Sequence, residues 1–233
     1  MALYTIGDLH LSLGSDKPMD IFGDRWQNYV EKIQRGFSAV TENDTTVLCG
    51  DLSWGMSLEE SLNDLTFIHN LPGRKILMKG NHDYWWNTVS KMKRMTDNAF
   101  EFIFNSALSV ENIALAGTRG WIPETSKKIT EEDKVIILRE QGRLERSLIE
   151  AEKFNCEKIF AILHYPPFDE QRRPTKMMEI MRSHGVTDCI YGHIHGKQNF
   201  NNLPKELEGI QLHLTSSDYL DFKPLLLTEW NES

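Results

Sequence analysis

The chain has little cysteine, no long apolar run and a deficit of positive charge, and each shortage excludes something. Its three cysteines, Cys49, Cys156 and Cys189, are widely spaced and form no Cys-x-x-Cys pair. A disulfide framework and a cysteine-based zinc or redox site are therefore not expected, and a reducing, cytoplasmic compartment fits. No run of about 18 apolar residues occurs, which argues against a transmembrane helix and a membrane partner. The opening Met1-Ala2-Leu3-Tyr4-Thr5-Ile6 has no basic region ahead of an apolar core. It reads as a first strand and not as a signal peptide. Lys and Arg total 26 against 34 Asp and Glu, a net charge of −8 over 233 residues. That balance disfavours nucleic acid, which wants a basic face. Several catalytic signatures are also missing, among them Gly-x-Gly-x-x-Gly, Gly-x-Ser-x-Gly and His-Glu-x-x-His. Gly192–Gln198 is not a nucleotide phosphate loop, because it has three residues between its glycines and Gln198 where a hydroxyl should hold magnesium.

What the chain does have is alternation. Short apolar runs at 3–6, 46–49, 75–78, 101–104, 113–116, 158–163, 188–191, 210–215 and 225–228 read as strands. Helical patterns lie between them. Trp26, Val30, Ile33, Phe37 and Val40 recur at spacings of three and four. Ser57 and Glu60 form a capping box ahead of Leu58, Leu62, Leu65 and Ile68. Thr130 and Asp133 open the longest helix, to about Phe154, and a shorter one runs over 175–184 and stops at Gly185. Strands alternating with helices imply an α/β protein with helices on the sheet faces. The strands from Ile210 onward are expected to add antiparallel pairing. No linker or repeat divides the chain, so a single domain over 1–233 is expected. Residues 120–151 are read as an ordinary flanking helix in preference to a specificity lid.

The polar residues fall in a pattern. Five predicted strands run directly into Gly7-Asp8-Leu9-His10, Gly50-Asp51, Gly80-Asn81-His82-Asp83, His164-Tyr165-Pro166-Pro167 and Gly192-His193-Ile194-His195. In open α/β sheets, ligands bind beyond the carboxyl ends of strands, so these side chains are expected to converge. Any one of them alone is an ordinary cap or turn residue. Five of the eight histidines falling in these segments is a different matter. Asp8, His10, Asp51, Asn81, His164, His193 and His195 offer carboxylate and amide oxygen and imidazole nitrogen, a mixture suited to Mn²⁺, Fe²⁺ or Zn²⁺. Seven donors exceed the needs of one zinc and suit two metals sharing one carboxylate. His69, His184 and His213 lie outside the pattern and are read as structural.

These motifs, in this order, resemble the calcineurin-like metallophosphoesterase superfamily: Asp-x-His, Gly-Asp, Gly-Asn-His-Asp, His and Gly-His-x-His, from Asp8 to His195. The resemblance implies a four-layer αββα sandwich of two mixed β-sheets flanked by helices. It implies two divalent metal ions, with Mn favoured over Fe or Zn. Asp8, His10, Asp51 and His195 would hold the first, and Asp51, Asn81, His164 and His193 the second, with Asp51 bridging. It implies hydrolysis of a phosphate mono- or diester in a small phosphorylated or nucleotide substrate, by a hydroxide bridging the two ions. His82 and Asp83 would be catalytic, His82 beside the leaving group and Asp83 orienting its ring. The Gly50–Met56 stretch lacks the Asp-Arg pair of the eukaryotic-type protein phosphatases, and the chain is too short for the extra domain of the superfamily's repair nucleases. Nuclease, protein phosphatase and non-catalytic scaffold remain the alternatives. Trp54, Tyr84, Trp85, Arg119 and Arg172 stand near the motifs and are candidate substrate contacts. Nothing in the sequence sets an oligomeric state.

Overall fold

The computed structural model describes residues 1–17 and 19–230. In chain order it contains β1 (Ala2–Ile6), α1 (Tyr29–Gly36), β2 (Thr45–Cys49), α2 (Leu62–His69), β3 (Arg74–Met78), α3 (Val89–Met95) and β4 (Glu101–Ile103). There follow β5 (Ala107–Val110), β6 (Ile113–Thr118), α4 (Glu131–Glu152), β7 (Lys158–Leu163), α5 (Lys176–Ser183), β8 (Asp188–Tyr191), β9 (Glu206–Leu207), β10 (Ile210–Leu214) and β11 (Leu225–Glu229). Two compact units form. One is Met1–Phe102 with the segment from Thr215 onward, and the other is Ile103–Leu214. Each holds one mixed sheet flanked by helices, as an α/β fold requires.

The first unit carries the five-stranded sheet β11-β1-β2-β3-β4. β1, β2 and β3 run parallel, and β11 is antiparallel to β1. All five residues of β2 are buried, as a central parallel strand covered on both faces must be. Its core gathers Ile6, Leu48 and Leu77 from the strands with Ile33 and Phe37 from the region of α1 and Leu65 and Ile68 from α2. Only half of the expected Ser57–Glu60 capping box forms: the Glu60 N–H donates to Ser57 Oγ at 3.2 Å, while Glu60 Oε2 accepts the Met56 N–H at 2.8 Å. The regular helix begins only at Leu62. The buried Ser61 hydroxyl bonds back to the Leu58 carbonyl at 2.9 Å, and such back-bonding competes with the helical ladder.

The second unit carries the six-stranded sheet β5-β6-β7-β8-β10-β9. β6, β7, β8 and β10 are parallel, and β5 and β9 add antiparallel edges. α4 opens on a reciprocal capping box in which Thr130 and Asp133 each accept the other's N–H. It lays Leu144, Leu148 and Ala151 onto the sheet core beside Ala114, Ala116 and Leu163. Residues 131–152 are thus a flanking helix. α5 contributes Met177, Met178 and Met181 to the same core.

The nine expected strands are all present. The tail expectation holds in part: β11 pairs antiparallel with β1 and β10 antiparallel with β9, but β10 also pairs parallel with β8, with Gln211 opposite Asp188. The connection through residues 192–209 is long enough for the crossover that parallel strands require. Among the described residues, no helix is long and apolar enough to cross a membrane.

Candidate metal centre

In the first unit β1, β2 and β3 are neighbours and parallel, so their carboxyl ends lie together. The loops leaving them are stitched by backbone hydrogen bonds, Asp8 N–H to Gly50 O at 2.8 Å and His10 N–H to Asp51 O at 3.0 Å. Asp8, His10 and Asp51 all adopt left-handed backbone conformations, with φ of 55°, 47° and 51°. Each such residue costs about 1–2 kcal/mol, though Asp and His bear it better than most. Backbone strain of this kind concentrates at functional sites. Gly80 is held by close approach: a Cβ there would overlap Asp51 Oδ1 and the Asp51 backbone nitrogen.

The strained residues bury their side chains, with Asp8 at 0%, His10 at 4% and Asp51 at 1% exposure. His10 Nε2 lies 3.9 Å from Asp8 Oδ1 and 3.9 Å from Asp51 Oδ2. That is too long for a hydrogen bond. It is the separation of two donors each about 2.0–2.2 Å from a shared cation, roughly 3–4 Å from one another. Ligand atoms of Asp8 and Asp51 also lie within 4.8 Å of each other. Two buried carboxylates at that range repel, and a divalent cation between them removes the repulsion. The donors are oxygen and nitrogen with no thiolate, which fits the harder divalent ions.

Asn81 and His82, in the loop after β3, are both half-buried. The His82 backbone N–H donates to Asp51 Oδ1 at 2.7 Å. Its ring centroid lies 4.6 Å from Trp54, 5.9 Å from His10 and 6.3 Å from Tyr84. Among the described residues its ring nitrogens meet no hydrogen-bond partner, so they are available to a ligand. Trp54 stacks on His10 at 5.0 Å, and Tyr84 is 58% exposed.

Asp83 does something other than orient that ring. It is fully buried and accepts N–H bonds from Gly80 (2.7 Å), Asp51 (2.9 Å), Leu52 (2.9 Å) and Ser53 (3.4 Å), and from Trp85 Nε1 (2.9 Å). It is a staple between the loops after β2 and β3. Burial and the neighbouring Asp51 carboxylate push its carboxyl up, while the N–H donors oppose the rise. Trp85, a candidate substrate contact from sequence, is 1% exposed and belongs to this staple and to the core. Sequence reasoning missed Asp64 altogether. This buried α2 carboxylate accepts the Ser53 hydroxyl and the Leu13 N–H (2.7 Å), tying the loops after β1 and β2, and burial raises it. Its position within an apolar helical stripe was the one available signal.

In the second unit β7 and β8 are parallel neighbours. Gly192 N–H donates to His164 O at 3.1 Å, joining the two histidine loops. His164 is fully buried, and its ring lies 5.2 Å from that of His193. His193 is left-handed, with φ of 71°, and Tyr165 packs on its ring at 4.1 Å. His195 is half-buried, its carbonyl accepting from Asn199 Nδ2 at 2.6 Å. Arg119 proves to be a brace. Its carbonyl accepts the N–H groups of His164 and Tyr165, both at 3.0 Å, and its guanidinium lies 4.4 Å above Trp121 and 3.7 Å from the buried Glu140. Arg173 is committed to Asp169, with Nε to Oδ2 at 2.8 Å. Desolvation would raise the Asp169 carboxyl, but Arg173 and backbone N–H donors hold it down to about 2.

The histidines outside the pattern have structural partners. His213 Nε2 pairs with Asp188 at 2.8 Å, His184 Nδ1 with Glu152 at 2.7 Å, and His69 meets the Phe100 ring edge at 6.2 Å.

This donor set, on these strand ends, is that of a metal-dependent phosphoesterase. The family model for calcineurin-like phosphoesterases matches residues 1–197, and the chain belongs to that family. Its members hydrolyse phosphoesters with divalent metal ions, and the chain is an enzyme of this class. A solved protein of unknown function from Aquifex aeolicus is 18% identical with a TM-score of 0.54, over 97% of this chain and 95% of that one. A solved protein from Thermus thermophilus is 8% identical with a TM-score of 0.59, over 96% of both chains. Likeness at these identities shows the fold. A comparison with curated proteins gives no significant match.

Proposed function

We propose that the chain hydrolyses a phosphate mono- or diester of a small phosphorylated or nucleotide substrate, using two divalent ions, and that its two units work as one catalytic domain. The first ion is assigned to Asp8, His10, Asp51 and His195, and the second to Asp51, Asn81, His164 and His193. The observation that carries the reading is the buried Asp8–His10–Asp51 group with its 3.9 Å nitrogen–oxygen spacings. When bound there, such a pair of ions supplies a nucleophile of lowered pKa and positive charge for the phosphoryl oxygens. Mn²⁺, Fe²⁺ and Zn²⁺ all suit the donors, with Mn²⁺ the first to test.

The protein's own contribution is positional. Asp83 and Asp64 fix three ligand loops before substrate arrives, so little reorganisation remains during the reaction. His82, with unengaged ring nitrogens beside the donors, delivers a proton to the departing oxygen or holds its developing charge by a hydrogen bond. Three free thiols support a reducing, cytoplasmic setting, and the net charge of −8 disfavours nucleic acid as substrate.

The test is turnover of an aryl phosphomonoester and an aryl phosphodiester with Mn²⁺, before and after EDTA. Turnover of at least one, lost with EDTA and restored by metal, is expected. No turnover of either sinks the proposal. His82→Ala is expected to keep its metal and to lose about 10²–10⁴-fold in kcat, the usual worth of a positioned proton donor. Loss of metal in that variant, read by elemental analysis, would show His82 to be a ligand instead.

A further inference from the structure

We infer that the cavity beside His193 and His195 receives the organic part of the substrate, and that this part is an apolar or aromatic group carrying a second anionic charge, which Arg172 holds. The inference rests on the phosphoesterase reading above and narrows its substrate class. The cavity lies within the second unit and has a volume of about 420 Å³, enough for a ring system with one substituent. Ile122, Pro123, Tyr165, Phe168 and Ile194 supply apolar and aromatic wall. One side is bordered by His193 and His195, so an ester whose phosphorus is held by those histidines' ions would place its organic group against that wall.

The loop that presents Arg172 is built to do so. Phe168 and Pro174 pair across it as an antiparallel bridge. Asp169, 2% exposed, accepts the N–H groups of Gln171 and Arg173, both at 2.9 Å, and the Arg173 guanidinium. Two adjacent arginines are thereby sorted. Arg173 is neutralised by Asp169, while Arg172 has no carboxylate within ion-pair distance among the described residues. Arg172 also adopts a left-handed backbone, with φ of 62°, which arginine seldom tolerates. Its guanidinium lies 5.3 Å from the Phe168 ring, half-buried at the cavity wall. A strained residue that sets an unpaired, partly desolvated guanidinium on an apolar wall is a recognition element for a carboxylate or phosphate. Glu170 also borders the cavity, but it is exposed, and solvent screens its repulsion.

The test compares two non-hydrolysable probes, benzylphosphonate and para-carboxybenzylphosphonate, by calorimetric titration of the Mn²⁺-loaded protein. The carboxylated probe is expected to bind about tenfold tighter or better, the worth of one hydrogen-bonded charge pair. Arg172→Asn suits the left-handed backbone and should abolish that preference while leaving benzylphosphonate affinity unchanged. Arg172→Lys should keep part of it. Equal affinities in the unmodified protein, or a preference that survives in Arg172→Asn, would overturn the inference alone. A fall in both affinities in Arg172→Asn would also overturn it, by showing a structural role. Failure of both probes to bind the unmodified protein would remove the phosphoesterase reading and this inference together.

Discussion

Asp51→Asn is expected to strip both metals at once and to reduce turnover by at least about 100-fold. Loss of a single outer partner of a metal ligand already costs about 10–100-fold in affinity or activity, and Asp51 is the proposed ligand of both ions. The geometry leaves no benign way to seat the amide. Asp51 Oδ1 accepts the His82 N–H at 2.7 Å, while Oδ2 stands 3.9 Å from His10 Nε2. An Asn nitrogen on the first side opposes a donor with a donor, and on the second side it replaces a metal-binding oxygen. Elemental analysis after gel filtration, paired with initial rates on an aryl phosphate, reads both effects. Two ions retained per chain in this variant would contradict the bridging role. His82→Ala is the control, because it should separate turnover from occupancy where Asp51→Asn couples them.

Asp83→Ala is expected to be the most destabilising single change in the first unit, lowering the unfolding free energy by at least about 4 kcal/mol or preventing folding. Its carboxylate serves five buried N–H donors. Each donor left dry costs about 1–3 kcal/mol, and the whole stability of a domain is only about 5–15 kcal/mol. One effect runs the other way. Asp51 and burial push the Asp83 carboxyl up, so removing it relieves some repulsion. Five donors outweigh one repulsive neighbour, and a cation bound by Asp51 would weaken that repulsion further. Asp83→Asn keeps one acceptor oxygen and should fall between the two. Urea unfolding measures the series. A loss below about 1 kcal/mol in Asp83→Ala would mean that water or loop movement satisfies those donors without the carboxylate.

Much of this is legible because the chemistry sits where the sequence changes character. Short apolar strands end abruptly at Gly-Asp, Gly-Asn-His and Gly-His pairs, and the switch in polarity marks both the strand and its functional end. The strands outside the expected set are edges: β5 is half-exposed with a serine inside it, and β9 has two residues. Neither shows an apolar run. Asp83 is harder for a physical reason. Its sequence position beside His82 invites a pairing between neighbours, but the carboxylate turns away to donors 30 to 32 residues earlier, which only the tertiary fold supplies. Trp85 and Arg119 mislead in the same way, since a large side chain next to a motif is as able to brace it as to face a ligand. The left-handed conformations of Asp8, His10, Asp51 and His193 are likewise set by the loops around them.

The proposed phosphoesterase activity depends on two metal ions shared through Asp51. The most direct measurement is metal content per chain alongside turnover of an aryl phosphate, followed through EDTA removal and titration back with Mn²⁺. About two ions per chain at full activity, no activity without them, and recovery that saturates at that stoichiometry are the expected results. Activity that persists in metal-free protein, or full recovery at one ion per chain, would contradict that dependence.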